Sequence, residues 1–261
     1  MSCLGTLVGA TIGLVLGGPI GAIAGAAFGS FATSFRTTEG ARPFGEDPYS
    51  TMYDRRMGSQ DHARMTFFVG AFSLLGKLAA ADGHVSAKET AKVEEFMDRD
   101  LHLDPSSRAS AMQVFRTAAT SPESFYSLAN QFYRQFRTQP QFFELLIDIM
   151  LRMAAADDQG LTREEETLIV DAVHIFRFSE ARYQQLKGRY VQNNASSYTV
   201  LGCSPNDTDD QIKKAYRRLV NEYHPDKIVA KGLPEEFQQV AAEKFREIRQ
   251  AYEQIRKERG F

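Results

Sequence analysis

The stretch Thr208-Asp209-Asp210-Gln211-Ile212-Lys213-Lys214-Ala215-Tyr216-Arg217-Arg218-Leu219-Val220-Asn221-Glu222-Tyr223-His224-Pro225-Asp226-Lys227 decides the fold. Thr208 with Gln211 three residues on has the spacing of a capping box, and Asp209 and Asp210 suit the positive end of a helix. Ile212, Ala215, Tyr216 and Leu219 recur at helical spacing and predict a helix to about Tyr223 with one apolar face. Lys213, Lys214, Arg217 and Arg218 crowd its outer side. The helix runs into His224-Pro225-Asp226-Lys227. Proline fixes that loop's backbone, so the polar side chains beside it need little ordering on binding. Asp226 is suited to a desolvated pair with an arginine on a partner, and the basic face to steering toward an acidic patch.

Outward from this stretch the pattern stays helical. Upstream, Tyr198-Thr199-Val200-Leu201-Gly202 predicts a brief helical turn ended by glycine, behind a short polar linker at 191–195. Downstream, a last helix from about Pro234 to Glu258 carries Phe245, Ile248, Ala251, Tyr252 and Ile255 at core spacing. This ordered set over residues 196–261 resembles the J domain of Hsp40 (DnaJ-type) co-chaperones. The resemblance implies docking on ATP-bound Hsp70 and acceleration of its ATP hydrolysis. It assigns that role to His224, Pro225 and Asp226, with Lys213, Lys214, Arg217 and Arg218 as the electrostatic face. Glu222 departs from the pattern, since many J domains are basic there.

His224 with Asp226 also invites a catalytic reading. Nucleophilic catalysis needs a nucleophile, a base and an orienting group, and no Ser or Cys here has that context. Cys203 follows Leu201-Gly202 in a small apolar slot and reads as packing. His62, His84, His102 and His174 are scattered, with no His-x-x-x-His pair. No catalytic residue, cofactor or metal is expected, and the chain reads as a non-enzyme.

Residues 61–190 predict an α-bundle of about seven helices. Phe67, Phe68, Phe72, Leu75 and Leu78 fall at helical spacing, as do Phe125, Phe132, Tyr133, Phe136, Phe142 and Phe143, which read as core. Asp104-Pro105 and Ser121-Pro122 read as an N-cap followed by proline at the first helical position. The domain repeats itself: Ala79-Ala80-Ala81-Asp82-Gly83-His84-Val85-Ser86-Ala87-Lys88-Glu89 returns as Ala154-Ala155-Ala156-Asp157-Asp158-Gln159-Gly160-Leu161-Thr162-Arg163-Glu164-Glu165. Ser86 with Glu89, and Thr162 with Glu165, have capping-box spacing. The acids of these turns are of a type that binds hard cations, but their number and spacing are not those of an EF-hand, and the glutamates already serve as caps. The turns resemble those of the TerB family of helical domains.

Residues 1–35 contain no Asp, Glu, Lys, Arg or His. A bilayer core takes about 20 apolar residues in helix, so the stretch is long enough for an anchor, and it lacks the basic start of a secretory signal. Gly5, Gly9, Gly13, Gly17, Gly21, Gly25 and Gly29 recur every fourth residue. Such a stripe lets a second helix approach closely, which makes a homodimer one reading. A different membrane partner, or an anchor that packs against nothing, are the others. Gly17-Gly18-Pro19 permits either one kinked span or a short hairpin. Arg36, Arg42, Arg55 and Arg56 follow in a polar linker at 36–60, so the positive-inside rule places the bulk of the chain in the cytoplasm.

With Lys+Arg 31 against Asp+Glu 33, bulk charge gives no case for a nucleic-acid partner. Two cysteines exclude a disulfide scaffold and a four-cysteine zinc site. The order of anchor, TerB-like bundle and J domain resembles the DjlA family, membrane-anchored DnaJ-like co-chaperones of Gram-negative bacteria. Tyr223-His224-Pro225-Asp226-Lys227-Ile228-Val229-Ala230-Lys231-Gly232-Leu233-Pro234 is close to that family's loop. The resemblance implies an all-α, single-pass type III protein of the inner membrane, with its N-terminus periplasmic. It also implies dimerisation through the anchor, a DnaK partner, and a role in envelope or capsule signalling. No Cys-x-x-Cys-x-Gly-x-Gly array or Gly/Phe-rich linker is present, so general client holding is not expected. The client or receptor of the bundle is unknown, and a membrane metal or stress sensor with the J domain as output is the alternative reading.

Overall fold

The computed structural model describes residues 16–34, 59–155, 160–191 and 196–261. Gly5, Gly9 and Gly13, most of the 36–60 linker with its arginines, Asp157 and Asp158 of the second turn, and residues 192–195 lie outside the described residues. The described residues form twelve helices and no strand: α1 (Gly18–Ser34), α2 (Ser59–Ala79), α3 (Ala87–Arg99), α4 (Pro105–Thr120), α5 (Phe125–Phe136), α6 (Pro140–Ala155), α7 (Arg163–Ile175), α8 (Glu180–Val191), α9 (Ser197–Leu201), α10 (Asp209–Glu222), α11 (Pro225–Ala230) and α12 (Glu235–Arg259).

Helices α2 to α8 are the expected bundle. Every residue of α6 from Gln141 to Leu151 is buried, so α6 is its central helix. Rings of Phe67, Phe132, Phe136, Phe142 and Phe143 interlock around it at tilted or edge-on angles. Such pairs add about 0.5–1.5 kcal/mol beyond area burial. Gly76 has a steric reason, because a Cβ there would stand 2.3 Å from the Phe115 carbonyl oxygen of α4. Asp104 caps α4 by accepting from the Ser106 and Ser107 amides, as its sequence predicts. Ser121 behaves differently: it closes α4, and Ser124 caps α5 instead. The buried stripe Phe125, Leu128, Ala129, Phe132, Phe136 starts at Phe125, so core registry sets that start, not the proline.

Both repeated turns carry the capping box their sequence predicts. Ser86 exchanges bonds with Glu89, and Thr162 with Glu165.

Of the N-terminal segment, residues 16–34 are described. Gly17 and Gly18 both take positive φ, 64° and 62°, which breaks the helix before α1. A left-handed backbone is cheap only for glycine. Helix α1 then lies on the bundle against α2, α4 and α5, with Ile20, Ile23, Ala24 and Ala27 in the core. Its Gly21 and Gly25 are buried there as well. Among the described residues no helix is long and apolar enough to cross a membrane.

Candidate functional site

Helices α9 to α12 build the site. The capping box of Thr208 and Gln211 starts α10, and Ile212 and Leu219 turn its apolar face inward. These two residues join Val200, Leu201, Cys203, Tyr223, Ile248, Ala251 and Ile255 in a separate small core. Tyr216 stacks on Tyr252 with centroids 3.9 Å apart and planes 7° off parallel, so it packs the hairpin. Cys203 is buried, and that burial pushes its thiol up, which fits packing and not reactivity.

Burying one face of α10 leaves the other for charge. Lys214, Arg217 and Arg218 are exposed. Lys213 is partly buried, its ammonium 4.5 Å from the centre of the Phe261 ring. Beyond Tyr223, His224 is the N-cap of α11 without a side-chain cap bond, and Pro225 takes the first helical position. Asp226 is 91% exposed at its side chain and His224 45%; His224 Nδ1 lies 3.8 Å from Asp226 Oδ2. The His224 ring meets Phe245 of α12 edge-on at 6.0 Å. The arrangement is a rigid polar corner beside a cationic face.

A DnaJ domain family model matches residues 196–259, a tellurite resistance protein TerB model residues 69–188, and a co-chaperone DjlA transmembrane domain model residues 1–33. The co-chaperone protein DjlA of Coxiella burnetii is 33% identical over 74% of this chain and 78% of its own. The chain belongs to the DjlA co-chaperone family. DjlA of Escherichia coli K12 is 31% identical over 78% of this chain and 83% of its own, and that of Vibrio parahaemolyticus 31% identical over 85% and 88%. No solved structure matches the chain. As a DjlA-family member the chain is a membrane co-chaperone with TerB and J domains.

In this DjlA-family chain the J domain is welded to the TerB bundle, which sequence reasoning missed. Leu233, Phe237, Val240 and Ala241 belong to the bundle's core. The Phe237 ring centroid lies 5.0 Å from Phe67 and 5.7 Å from Phe72. Arg182 of α8 donates to Thr199 O at 2.8 Å and Val200 O at 3.2 Å, and pairs with Glu144 of α6 at 2.8 Å. It thus ties α9 of the J domain to the central helix. Asp148 of α6 takes Lys244 Nζ of α12 at 3.2 Å, the Tyr190 hydroxyl at 3.0 Å and the Arg189 guanidinium at 3.8 Å. Arg189 also pairs with Glu247. The signal was in the sequence: Glu144 and Asp148 are the only acids in the run 142–153, one helical turn apart. Buried acids demand partners. Glu222 sits by this junction. Burial pushes its carboxyl up, Arg218 counters it, and Glu144 adds to the rise.

Burial alone would raise the Asp148 carboxyl, but Lys244, Arg189 and the Tyr190 hydroxyl outweigh it and hold it below the usual range. A depressed folded value means its stabilisation is complete above an unfolded pKa of about 3.9 and is lost as pH falls through the folded value. Asp148→Asn leaves Lys244 buried without its carboxylate. Urea melts at pH 7 are expected to show a loss of about 3–5 kcal/mol. The gap to wild type should narrow once acid protonates Asp148; a gap that persists at low pH would assign the loss to packing.

The acidic turns do not assemble a metal site in what is described. Among the described residues no group of three or more His, Cys, Asp or Glu could hold an ion. Glu89 and Glu165 are engaged as caps, and Asp82 accepts from the His84 amide.

Proposed function

We propose that this chain docks on a DnaK-type Hsp70 through His224, Pro225 and Asp226 and stimulates its ATP hydrolysis at the inner membrane. The carrying observation is the exposed His224–Asp226 corner set at the end of the cationic α10. The chemistry follows from that placement. Lys213, Lys214, Arg217 and Arg218 draw the J domain toward an acidic patch on Hsp70. Asp226 then pairs with an arginine of the partner, with Pro225 holding the corner so that little ordering remains to be done.

The J domain is fixed to the TerB bundle on the side of α9 and the first half of α12 while the exposed residues of α10 stay open. Hsp70 is therefore recruited at one orientation to whatever the bundle holds, such as a receptor in envelope or capsule signalling. The family's anchor and the arginines after it support a type III topology, N-terminus outside. The Gly5 to Gly29 stripe supports a homodimer in the bilayer, where Gly21 and Gly25 are no longer covered by the bundle.

The test is single-turnover ATP hydrolysis by a bacterial DnaK-type Hsp70 with the full chain in nanodiscs, against Arg217→Glu, Arg218→Glu. The wild type is expected to accelerate hydrolysis. The reversed face should lower the association rate roughly 10-fold or more at low salt, and far less at high salt. A salt-independent deficit, or none, would remove the cationic face from the mechanism.

A further inference from the structure

Helix α1 occupies a groove that treats it as a ligand. Its inward residues Ile20, Ile23, Ala24 and Ala27 follow helical i, i+3, i+4, i+7 spacing. Ala22 and Ala26 face outward. Two glutamines of the groove bond main-chain groups of the segment. The Gln131 side chain of α5 accepts from the Ile20 amide at 2.8 Å and donates to the Gly17 and Leu16 carbonyls, so it satisfies backbone groups on both sides of the break. Gln113 of α4 donates to the Ala27 carbonyl. On α2, Gly70 opens the floor: a Cβ there would lie 3.2 Å from Ile20 Cδ1 and 2.7 Å from the Phe132 ring. The groove therefore selects by shape and backbone, and it takes a small-residue helix.

Residues 18–33 of that helix also fall in the stretch matched by the transmembrane domain model. One helix cannot lie in a bilayer and in this groove at once. We propose that the α2–α4–α5 groove of the TerB bundle is a receptor for residues 18–34 of this chain, and that bilayer and groove compete for them. The groove-held form shields Gly21 and Gly25; the inserted form frees both the glycines and the groove. The anchor is thus a two-position element that reports whether the chain is fully inserted. This does not depend on Hsp70 docking.

The test places a photo-crosslinking benzoylphenylalanine at Phe28, which is partly buried against the core. The full chain is irradiated in lipid-free amphipathic polymer and in vesicles of phosphatidylethanolamine and phosphatidylglycerol, with isotopically heavy and light chains mixed. Adducts to α2, α4 or α5 of the same chain are expected without lipid, and at least a ten-fold fall in their yield in vesicles. Gln131→Leu, which removes the bonds at the break, should lower the lipid-free yield several-fold without lowering vesicle partition. Equal yields in both media, or no bundle adducts in either, would overturn the competition. Heavy–light adducts would replace the same-chain occupant with a second copy. An unchanged yield in Gln131→Leu would overturn backbone recognition by the groove.

Discussion

His224→Gln is expected to return Hsp70 hydrolysis to its unstimulated rate while leaving the chain folded. The side chain is half exposed, has no cap bond to α11 and lies beside the Phe245 ring and Asp226. Surface substitutions of that kind usually shift stability within about 0.5 kcal/mol. The loss therefore falls on docking. Glutamine keeps a hydrogen-bonding end of similar reach but loses the flat ring that Phe245 and Asp226 hold in place. Single-turnover hydrolysis with full chain in nanodiscs reads the effect, and circular dichroism of the same sample reports folding. Full stimulation by the variant would remove His224 from the interface; lost helicity would make the result a folding effect, and Asp226→Asn, at a 91% exposed side chain, then carries the test.

Phe237→Ala is expected to loosen two domains at once. The side chain is fully buried between Phe67 and Phe72, in the bundle's core although the residue belongs to the J domain's last helix. Truncating a buried phenylalanine costs about 3–5 kcal/mol, from lost transfer energy and the cavity left behind. For amides that exchange by global opening, that equals roughly two to four decades in hydrogen-exchange rate. Mass spectrometry of the full chain should find the acceleration in α2 and α5 as well as α12. Acceleration confined to residues 196–261 would mean the domains are stable independently. Phe237→Leu keeps most of the volume and should cost less than about 1.5 kcal/mol.

What was legible in the sequence tracks the range of each signal. Capping boxes at Ser86, Thr162 and Thr208 are local chemistry, and all three form as their spacing predicts. The apolar period of α10 placed Ile212 and Leu219 inside and the four cations outside or at the edge. Ser121 misled because a local cap signal competed with a core stripe that starts later. The junction was illegible for another reason. Phe237, Lys244 and Arg182 read as ordinary residues of amphipathic helices, and only tertiary pairing across 96 positions, from Lys244 to Asp148, gives them a role. The docking of α1 was hidden by composition: an apolar, uncharged helix suits a bilayer and a protein groove alike, and Gln131 and Gln113 declare themselves only in space.

The shared core also sets an order in time. Phe237 is translated after every bundle helix it packs against, at roughly 5–20 residues per second. A ribosome that has finished α8 has made all seven bundle helices, yet the gap between Phe67 and Phe72 stays unfilled until the last helix follows. Residues 1–33 have by then long since emerged. Those residues are therefore free to meet a membrane before the bundle can close, and a stop codon anywhere before Phe237 leaves the TerB portion short of its own core.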